Sequence, residues 1–439
     1  MKSERPVAVA IVGGGASGTI LAAQLARRGI ESALVDGSGR AGKGVAYSTT
    51  EPAHLLNVRA EGMSAWAGDP GHFARRFEGE GGEPRGFAQR RLFGRYLGEI
   101  LDEAVASGRV NLVDASATGA ERVDGRWRVA LDDGSMLDAG ALALAIGNQE
   151  PEGLSAFAGA GPRFIGNPWG DAARAAVDAL AEDGGDALLV GTGLTMVDLV
   201  LSLDARGYNG RIVALSRRGQ VPRGHADYEP APVNAKDVPL GSVRTIWRWL
   251  RRRSAESGWR AAIDSLRPDS QRLWQSLDTD EQRRFIRHAR PWWDVHRHRI
   301  APEVAATVKR LIAEGRLEVI AGRIIAARPS NGSLEVELRR RGAENSQQMK
   351  FDYAFNCTGP LHSIVRTRDP LLRSLLDAGE VSPDQLGMGL DVDDRARAGE
   401  RLWALGPLTK GRYWEIIAVP DIREQAASVA EDIAREVQE

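Results

Sequence analysis

The chain has 439 residues, enough for two domains that each bury their own core. A 43 % hydrophobic and 27 % charged content is that of an ordinary folded protein, and a formal net charge of −1 argues against a surface built for nucleic acid or an anionic membrane. The single cysteine, Cys357, excludes both an internal disulfide and a redox-active Cys-x-x-Cys pair. No apolar run approaches a membrane span, and the charged opening Met1–Pro6 leads straight into an apolar strand pattern, so the cytoplasm is the expected location.

In chain order, Pro6 to Val12 reads as a buried strand that ends in Gly13-Gly14-Gly15. Ile20, Leu21, Leu25 and Ala26 recur at helical spacing between Ser17 and Arg28, and Gly29 ends that helix. A second buried strand, Ser32–Val35, ends at Asp36 and completes a βαβ unit. Gly13, Gly15 and Gly18 fit G-x-G-x-x-G. The first permits the tight turn, the second lets a pyrophosphate approach the backbone, and the third lets helix and strand pack closely. Asp36 lies eighteen residues beyond Gly18, where a carboxylate takes ribose hydroxyls. A dinucleotide is therefore expected here, with Ser17 in the first turn of the helix whose free amides face its phosphates.

A polar, loop-rich stretch from Gly37 to Gly86 precedes a helix over Gln89–Ser107 and hairpin-like strands from Val110 to Met136. Ala141–Ile146 is a further buried strand, stopped by Gly147. The Pro-, Gly- and Ala-rich run Glu150–Arg163 reads as a crossing between domains.

The pattern restarts at Ala187, with a strand over Leu188–Val190, a turn at Gly191–Leu194, a helix over Thr195–Leu203 and a strand over Ile212–Leu215. Gly191 and Gly193 keep the first two glycines of the motif, and Met196 replaces the third. Leu194 and Thr195 open the helix. The next strand ends not in an acid but in Ser216-Arg217-Arg218, and guanidinium groups there bind a 2′-phosphate that an acid would repel. NADPH is expected over NADH; the sequence does not rank Arg217 against Arg218.

From Arg244 to Arg310 the chain is mostly helical and carries sixteen Lys/Arg against eight Asp/Glu, with six of the eleven tryptophans. Helices that pack Trp faces and leave Arg stems solvated are the favoured account. Contact with NADPH or an anionic substrate comes second, and single-stranded nucleic acid third, because the total charge is near zero. His296 and His298 lack a third ligand at zinc spacing, so no metal is expected. Strands resume near Leu317, at Phe351–Asn356 and at Leu402–Leu405. Asp421 reads as the N-cap of a closing helix to Val437, and Cys357 at a strand end reads as core packing.

Several stretches carry a resemblance: Val12-Gly-Gly-Gly-Ala-Ser-Gly18, Gly44-Val-Ala-Tyr47, His54-Leu-Leu-Asn-Val58, Gly191-Thr-Gly-Leu-Thr195 with Asp198, and Ser216-Arg-Arg-Gly219 followed by Pro222 and His225. Later come Cys357-Thr-Gly-Pro360, Leu405-Gly-Pro407, Trp414-Glu415, and Pro420-Asp-Ile-Arg423 with Gln425. They resemble the bacterial FAD/NAD(P)-binding proteins of the two-dinucleotide-binding-domain flavoprotein superfamily, related more distantly to flavin-dependent N-hydroxylating monooxygenases. The resemblance implies an α/β fold of two Rossmann-like domains, with the NADPH domain inserted in the FAD domain and a helical Arg/Trp-rich segment. The FAD domain would span 1–160 and 351–439, and the NADPH domain 161–350 with a helical insertion at about 235–315.

The resemblance also implies that Gly44 to Tyr47 and Leu56 to Val58, hence Asn57 and Val58, border the flavin. It places Ala117 near adenine and Gly406 near the ribityl chain, with Ala145-Ile-Gly147 and Thr358-Gly359 joining the domains. Pro407 stands where related flavoproteins often carry an acid. Phe164-Ile-Gly-Asn-Pro-Trp169 matches only the opening of the Baeyer–Villiger fingerprint. Amides near Ile422 and Arg423 would face the pyrimidine edge of the reduced flavin. Asn57 is the first candidate for chemistry, since an amide can bind near a flavin without titrating. His54 and His225 could reach flavin or substrate, a hydrogen-bonded structural role being the alternative. The implied activity is an NADPH-reduced, FAD-dependent monooxygenase acting with oxygen on a small nucleophile such as an amine. The alternatives are a flavin reductase or dehydrogenase without oxygen insertion, and a non-catalytic FAD/NADPH-binding sensor or assembly subunit.

Overall fold

The computed structural model describes residues 6–438, so the charged opening Met1–Arg5 lies outside the described residues. The first part of the chain forms β1 (Val7–Val12), β2 (Ser32–Val35), β3 (Val110–Val113), β4 (Ala117–Val123), β5 (Arg126–Leu131) and β6 (Met136–Leu144). The middle part forms β7 (Phe164–Ile165), β8 (Ala187–Val190), β9 (Ile212–Ser216), β10 (Leu317–Ser330), β11 (Ser333–Arg340), β12 (Gln347–Phe351) and β13 (Tyr353–Asn356). The chain then returns with β14 (Arg397–Gly399) and β15 (Leu402–Ala404).

Two sheets result. The first runs β14-β15-β6-β1-β2-β3, with β5 and β4 added antiparallel on the amino-terminal half of β6; the second runs β12-β11-β10-β9-β8-β13-β7. The fully apolar strands β1, β2, β8 and β9 occupy the parallel cores, as expected for strands covered on both faces. The helix Ala16–Arg27 lies on the first sheet, packed against the helices Arg90–Ala106 and Val419–Gln438. Asp432 of the closing helix is buried and ties that helix to the returning strands, accepting from Trp403 Nε1 at 2.9 Å and Arg397 Nε at 2.6 Å.

The two sheets repeat one local construction. Gly13 N donates to Val35 O at 2.9 Å and Ala145 N to Val12 O at 2.8 Å; in the second unit Gly191 N donates to Leu215 O at 2.7 Å and Cys357 N to Val190 O at 2.8 Å. A Cβ on Gly13 (φ +105°) would stand 2.5 Å from the Ala145 carbonyl oxygen, and one on Gly191 (φ +122°) would collide with that of Cys357. Both glycines are thus required by the same close crossing of strand ends. Gly147 (φ +76°) and Gly359 (φ +91°) follow two residues later in each unit.

Four details differ from the sequence reading. β3 is not half of a hairpin but extends the parallel sheet beside β2, and the antiparallel strands begin only at β4. β13 pairs with β8 and β7, so the second sheet runs through Asn356 and the return to the first sheet falls after it rather than at 351. The Arg/Trp-rich lobe ends before Ile300: the strand-like segments entering and leaving it meet at Gly224 and Ile300, and the helix Pro302–Ala313 is the crossover that leads into β10. The closing helix starts at Val419, which puts Asp421 inside its first turn instead of at the N-cap.

Candidate functional site

The first turn opens at the carboxyl end of β1, between β2 and β6, where the strand order reverses and open α/β sheets bind ligands. A Cβ on Gly18 would collide with the Gly13 carbonyl, so the third glycine is required for helix and strand to touch. Gly15 faces Gly44, whose φ is +57° and whose added Cβ would lie 2.9 Å from Gly15 Cα. Gly406 (φ +63°) stands over the same helix start: its Cβ would lie 2.8 Å from Ser17 Oγ, and its N–H donates to Gln425 Oε1 at 2.7 Å. Three glycines from distant stretches therefore leave one side-chain-free cradle at a helix N-terminus, the arrangement a pyrophosphate needs. Asp36 closes its far end. Its Oδ2 accepts from Gly14 N at 2.6 Å, while its Oδ1 accepts from both Ser38 N at 2.9 Å and Ser38 Oγ at 2.5 Å, which leaves Oδ2 the acceptor capacity for a ribose. Gly37 lies against Ser116, next to Ala117 at the start of β4.

In the second turn Gly193 has open space where a Cβ would point, while Met196 is fully buried and fills the place of the third glycine. Thr192 Oγ1 bonds Ser216 Oγ at 2.8 Å and donates to Gln220 O at 2.5 Å, and Gly219 N donates to Ser216 Oγ at 3.0 Å. Leu194 and Thr195 begin the helix Leu194–Ala205. The structure separates the two arginines. Arg217 is exposed and lines a cavity formed with the β10–β11 hairpin. Arg218 turns the other way, over the Trp292 ring at 5.9 Å and toward His288 O at 3.5 Å.

Between the two turns, both histidine candidates take the hydrogen-bonded arrangement named as their alternative. His54 is buried: Nδ1 meets Thr49 Oγ1 at 2.9 Å, and Nε2 meets Asp198 O and Ser202 Oγ at 3.0 Å. With both ring nitrogens engaged, it joins the loop of the first domain to the helix of the second. Arg90 reinforces that junction with a bidentate pair to the Asp198 carboxylate at 2.8 and 3.0 Å and a bond to Leu55 O at 3.0 Å. His225 Nε2 lies 3.0 Å from the Asn57 carbonyl, and its ring packs on Phe87 at 4.9 Å. Burial, reinforced by Arg299, pushes its pKa down to about 4, so near neutral pH it is uncharged, with Nε2 donating. Its ring thus ties the loop after β9 to the Asn57 backbone. The Asn57 side chain itself has no hydrogen bond among the described residues, and Val58 and Tyr47 are half-buried. Tyr47 packs edge-on against Phe93 at 4.8 Å, and burial pushes its phenol up to about 12.

The expected amides at Ile422 and Arg423 are not free to receive a flavin. Ile422 N, like Asp421 N, donates to Ala418 O at 3.0 Å, because the helix begins earlier than the sequence suggested. Arg423 instead reaches Gly62 O at 3.2 Å. Just before this helix lies a buried charged cluster that the sequence reading missed. Glu415 accepts from Trp293 Nε1 at 2.8 Å and pairs with Arg297 at 2.9 Å. Burial alone would raise its pKa, but Arg297, His298 and the indole outweigh it and hold the carboxyl below its ordinary value. Lys410 is pushed down to about 8 by burial and by Arg290. The Arg/Trp-rich lobe docks here: Trp274 stacks on Trp414 at 4.8 Å and donates to Gly411 O at 2.8 Å. Trp274 and Trp293 of the lobe are thus buried while Trp292 is exposed, and Arg297 reaches Glu415. The signal was present in Trp414-Glu415, read there only as a motif.

A cavity of about 880 Å³ opens beside Gly44, walled by Lys43, Leu55, Phe77, Phe87, Arg91 and Arg95. Among the described residues no group of His, Cys, Asp or Glu could hold a metal ion, and no helix is long and apolar enough to cross a membrane. Cys357 is buried, which raises its thiol pKa and keeps it unreactive.

Two glycine turns, each at the carboxyl end of a strand in the parallel core of its own sheet, give the fold of the two-domain FAD/NADPH flavoproteins. Residues 10–149 match the FAD-NAD(P)-binding family model, so the chain carries an FAD/NAD(P)-binding domain. L-lysine 6-monooxygenase from Pseudomonas syringae is similar in structure, with a TM-score of 0.68 at 18 % identity, over 98 % of this chain and 99 % of that one. Ornithine hydroxylase from Pseudomonas aeruginosa, in its reduced form, reaches a TM-score of 0.67 at 15 % identity over 98 % and 99 % of the two chains. Thioredoxin reductase from T. acidophilum reaches 0.54 at 14 % identity over the same shares. No curated protein matches by sequence.

Proposed function

We propose that the chain is an NADPH-dependent flavoprotein monooxygenase that holds FAD on the first glycine turn and NADPH on the second. The observation that carries this reading is the duplicated crossing at Gly13/Ala145 and Gly191/Cys357, which places a helix N-terminus at the carboxyl end of a parallel strand in each of the two sheets. The cradle of Gly15, Gly44 and Gly406 fits the FAD pyrophosphate, and Asp36 fits its ribose. Gly193, with nothing near its missing Cβ, fits the phosphates of NADPH. When bound, FAD supplies the redox chemistry, taking electrons from NADPH and passing them on. The protein binds, orients and shields. His225 and the Arg90–Asp198 pair fix the loop that presents the free amide of Asn57, and Glu415 with Arg297 fixes the helical lobe over the cleft.

Oxygen insertion is favoured over disulfide reduction because the chain has one cysteine, buried, with no partner for dithiol exchange. The higher TM-scores against the lysine and ornithine oxygenases than against thioredoxin reductase point the same way. A small amine is the favoured substrate. The reductase or dehydrogenase reading differs only in the final acceptor. An NADPH-oxidation screen across amines, amino acids and thioethers separates them: oxygenated product in step with NADPH consumption supports the monooxygenase, and NADPH consumption with no oxygenated product from any substrate overturns it.

A further inference from the structure

We propose that Arg323, Arg339 and Arg341, carried by the β10–β11 hairpin, join Arg217 in a basket that holds the 2′-phosphate of NADPH. This rests on the reading of the second unit as the NADPH site and extends it to residues far from the glycine motif. β10 runs parallel to β9 with Ala321 opposite Ser216, so Arg217 emerges beside Gly322 and Arg323. The hairpin register then sets Arg323 opposite Arg339, and Arg341 N donates to Ala321 O at 2.8 Å, which folds the end of β11 back over the same spot. Gly322 makes the approach possible, since a Cβ there would stand 2.6 Å from the Arg339 carbonyl oxygen. The side chains surround a cavity of about 470 Å³.

The charge balance of this cavity points to an anion. Arg340 pairs with Glu318 at 2.5 Å. Arg217, Arg323, Arg339 and Arg341 have no carboxylate partner among the described residues. Like charges directly opposite across a strand pair are destabilising, and Arg323 and Arg339 are such a pair. A phosphate dianion removes that repulsion and accepts the forked, charge-assisted bonds that guanidinium groups make. The cavity lies at the carboxyl end of the second strand of the glycine unit, where a dinucleotide places its adenosine ribose. Arg218, turned toward Trp292 and His288, is not part of it.

The test is calorimetric binding of 2′,5′-ADP and 5′-ADP to the purified, FAD-loaded protein and its variants. The wild type is expected to prefer 2′,5′-ADP, and the Arg323→Ala/Arg341→Ala double variant to lose that preference by at least about tenfold. Its affinity for 5′-ADP and its flavin absorbance should not change. Arg340→Ala, which removes a charge already paired, should keep the preference. The assignment is overturned if the double variant and Arg339→Ala both retain the preference while Arg217→Ala abolishes it, for then Arg217 holds the phosphate alone. A wild type with no preference would instead refute the NADPH reading itself, and no variant is needed to see it.

Discussion

The junction between the two domains offers the sharpest energetic test. Arg90 and Asp198 form a bidentate pair at 2.8 and 3.0 Å, with side chains only 13 % and 7 % exposed. Asp198→Ala leaves the Arg90 guanidinium buried beside the Leu55 carbonyl with no countercharge. Breaking one partner of a buried pair costs about 3–5 kcal/mol, most of it from the stranded charge. Removing both residues together strands no charge, leaving only the Leu55 carbonyl without its donor, so the double variant should cost clearly less than the sum of the single ones. Urea unfolding followed by tryptophan fluorescence measures each corner of the cycle, and Trp293, buried beside Glu415, reports from near the cleft. A cost below about 1 kcal/mol for Asp198→Ala, or strict additivity in the double variant, would show that water reaches the pair and that it does not lock the domains.

Three further outcomes follow from the geometry. Gly44→Ala places a Cβ 2.9 Å from Gly15 Cα at a positive φ, so the purified variant should retain less FAD, measured by the ratio of flavin to protein absorbance; full occupancy would argue against the cradle. His225 has its pKa pushed from 6.5 to about 4, so the folded state resists a proton that the unfolded chain accepts. Its penalty is absent above pH 6.5 and grows as pH falls toward 4, reaching about 3 kcal/mol. His225→Gln should flatten the fall of urea stability over that window, and an unchanged slope would remove His225 as its source. Asn57→Ala should leave stability within about 0.5 kcal/mol but lower the fraction of NADPH electrons recovered in oxygenated product; undiminished coupling would remove Asn57 from the chemistry.

What was legible in the sequence was local and repeated. The glycine turns, their strands and Asp36 follow from spacing alone because each motif lies within one short βαβ unit, although the carbonyls that require Gly13 and Gly191 belong to the distant Ala145 and Cys357. The same logic gave the second unit despite Met196, since Gly191 is held by the Cys357 carbonyl whatever follows it. Long-range partners were not legible. A hydrogen-bonded role for His54 could be named, but not its partners Asp198 and Ser202, more than 140 residues away. Ile422 seemed a free amide because Pro420-Asp421 resembles a helix start, whereas the turn at Ala418 already takes its hydrogen bond. Nothing in the local sequence singles out Arg323, Arg339 and Arg341; only the register of β9, β10 and β11 sets them around Arg217.

The central claim is that NADPH on the second unit reduces FAD on the first. Anaerobic rapid mixing of the FAD-loaded protein with NADPH or NADH, followed at the visible flavin band, tests it directly. NADPH should bleach the flavin at least about tenfold faster than NADH at equal concentration, a difference of about 1.4 kcal/mol in transition-state binding, and Arg217→Ala should erase most of that gap. A flavin left oxidised by both coenzymes, or bleached equally well by NADH, would contradict the account.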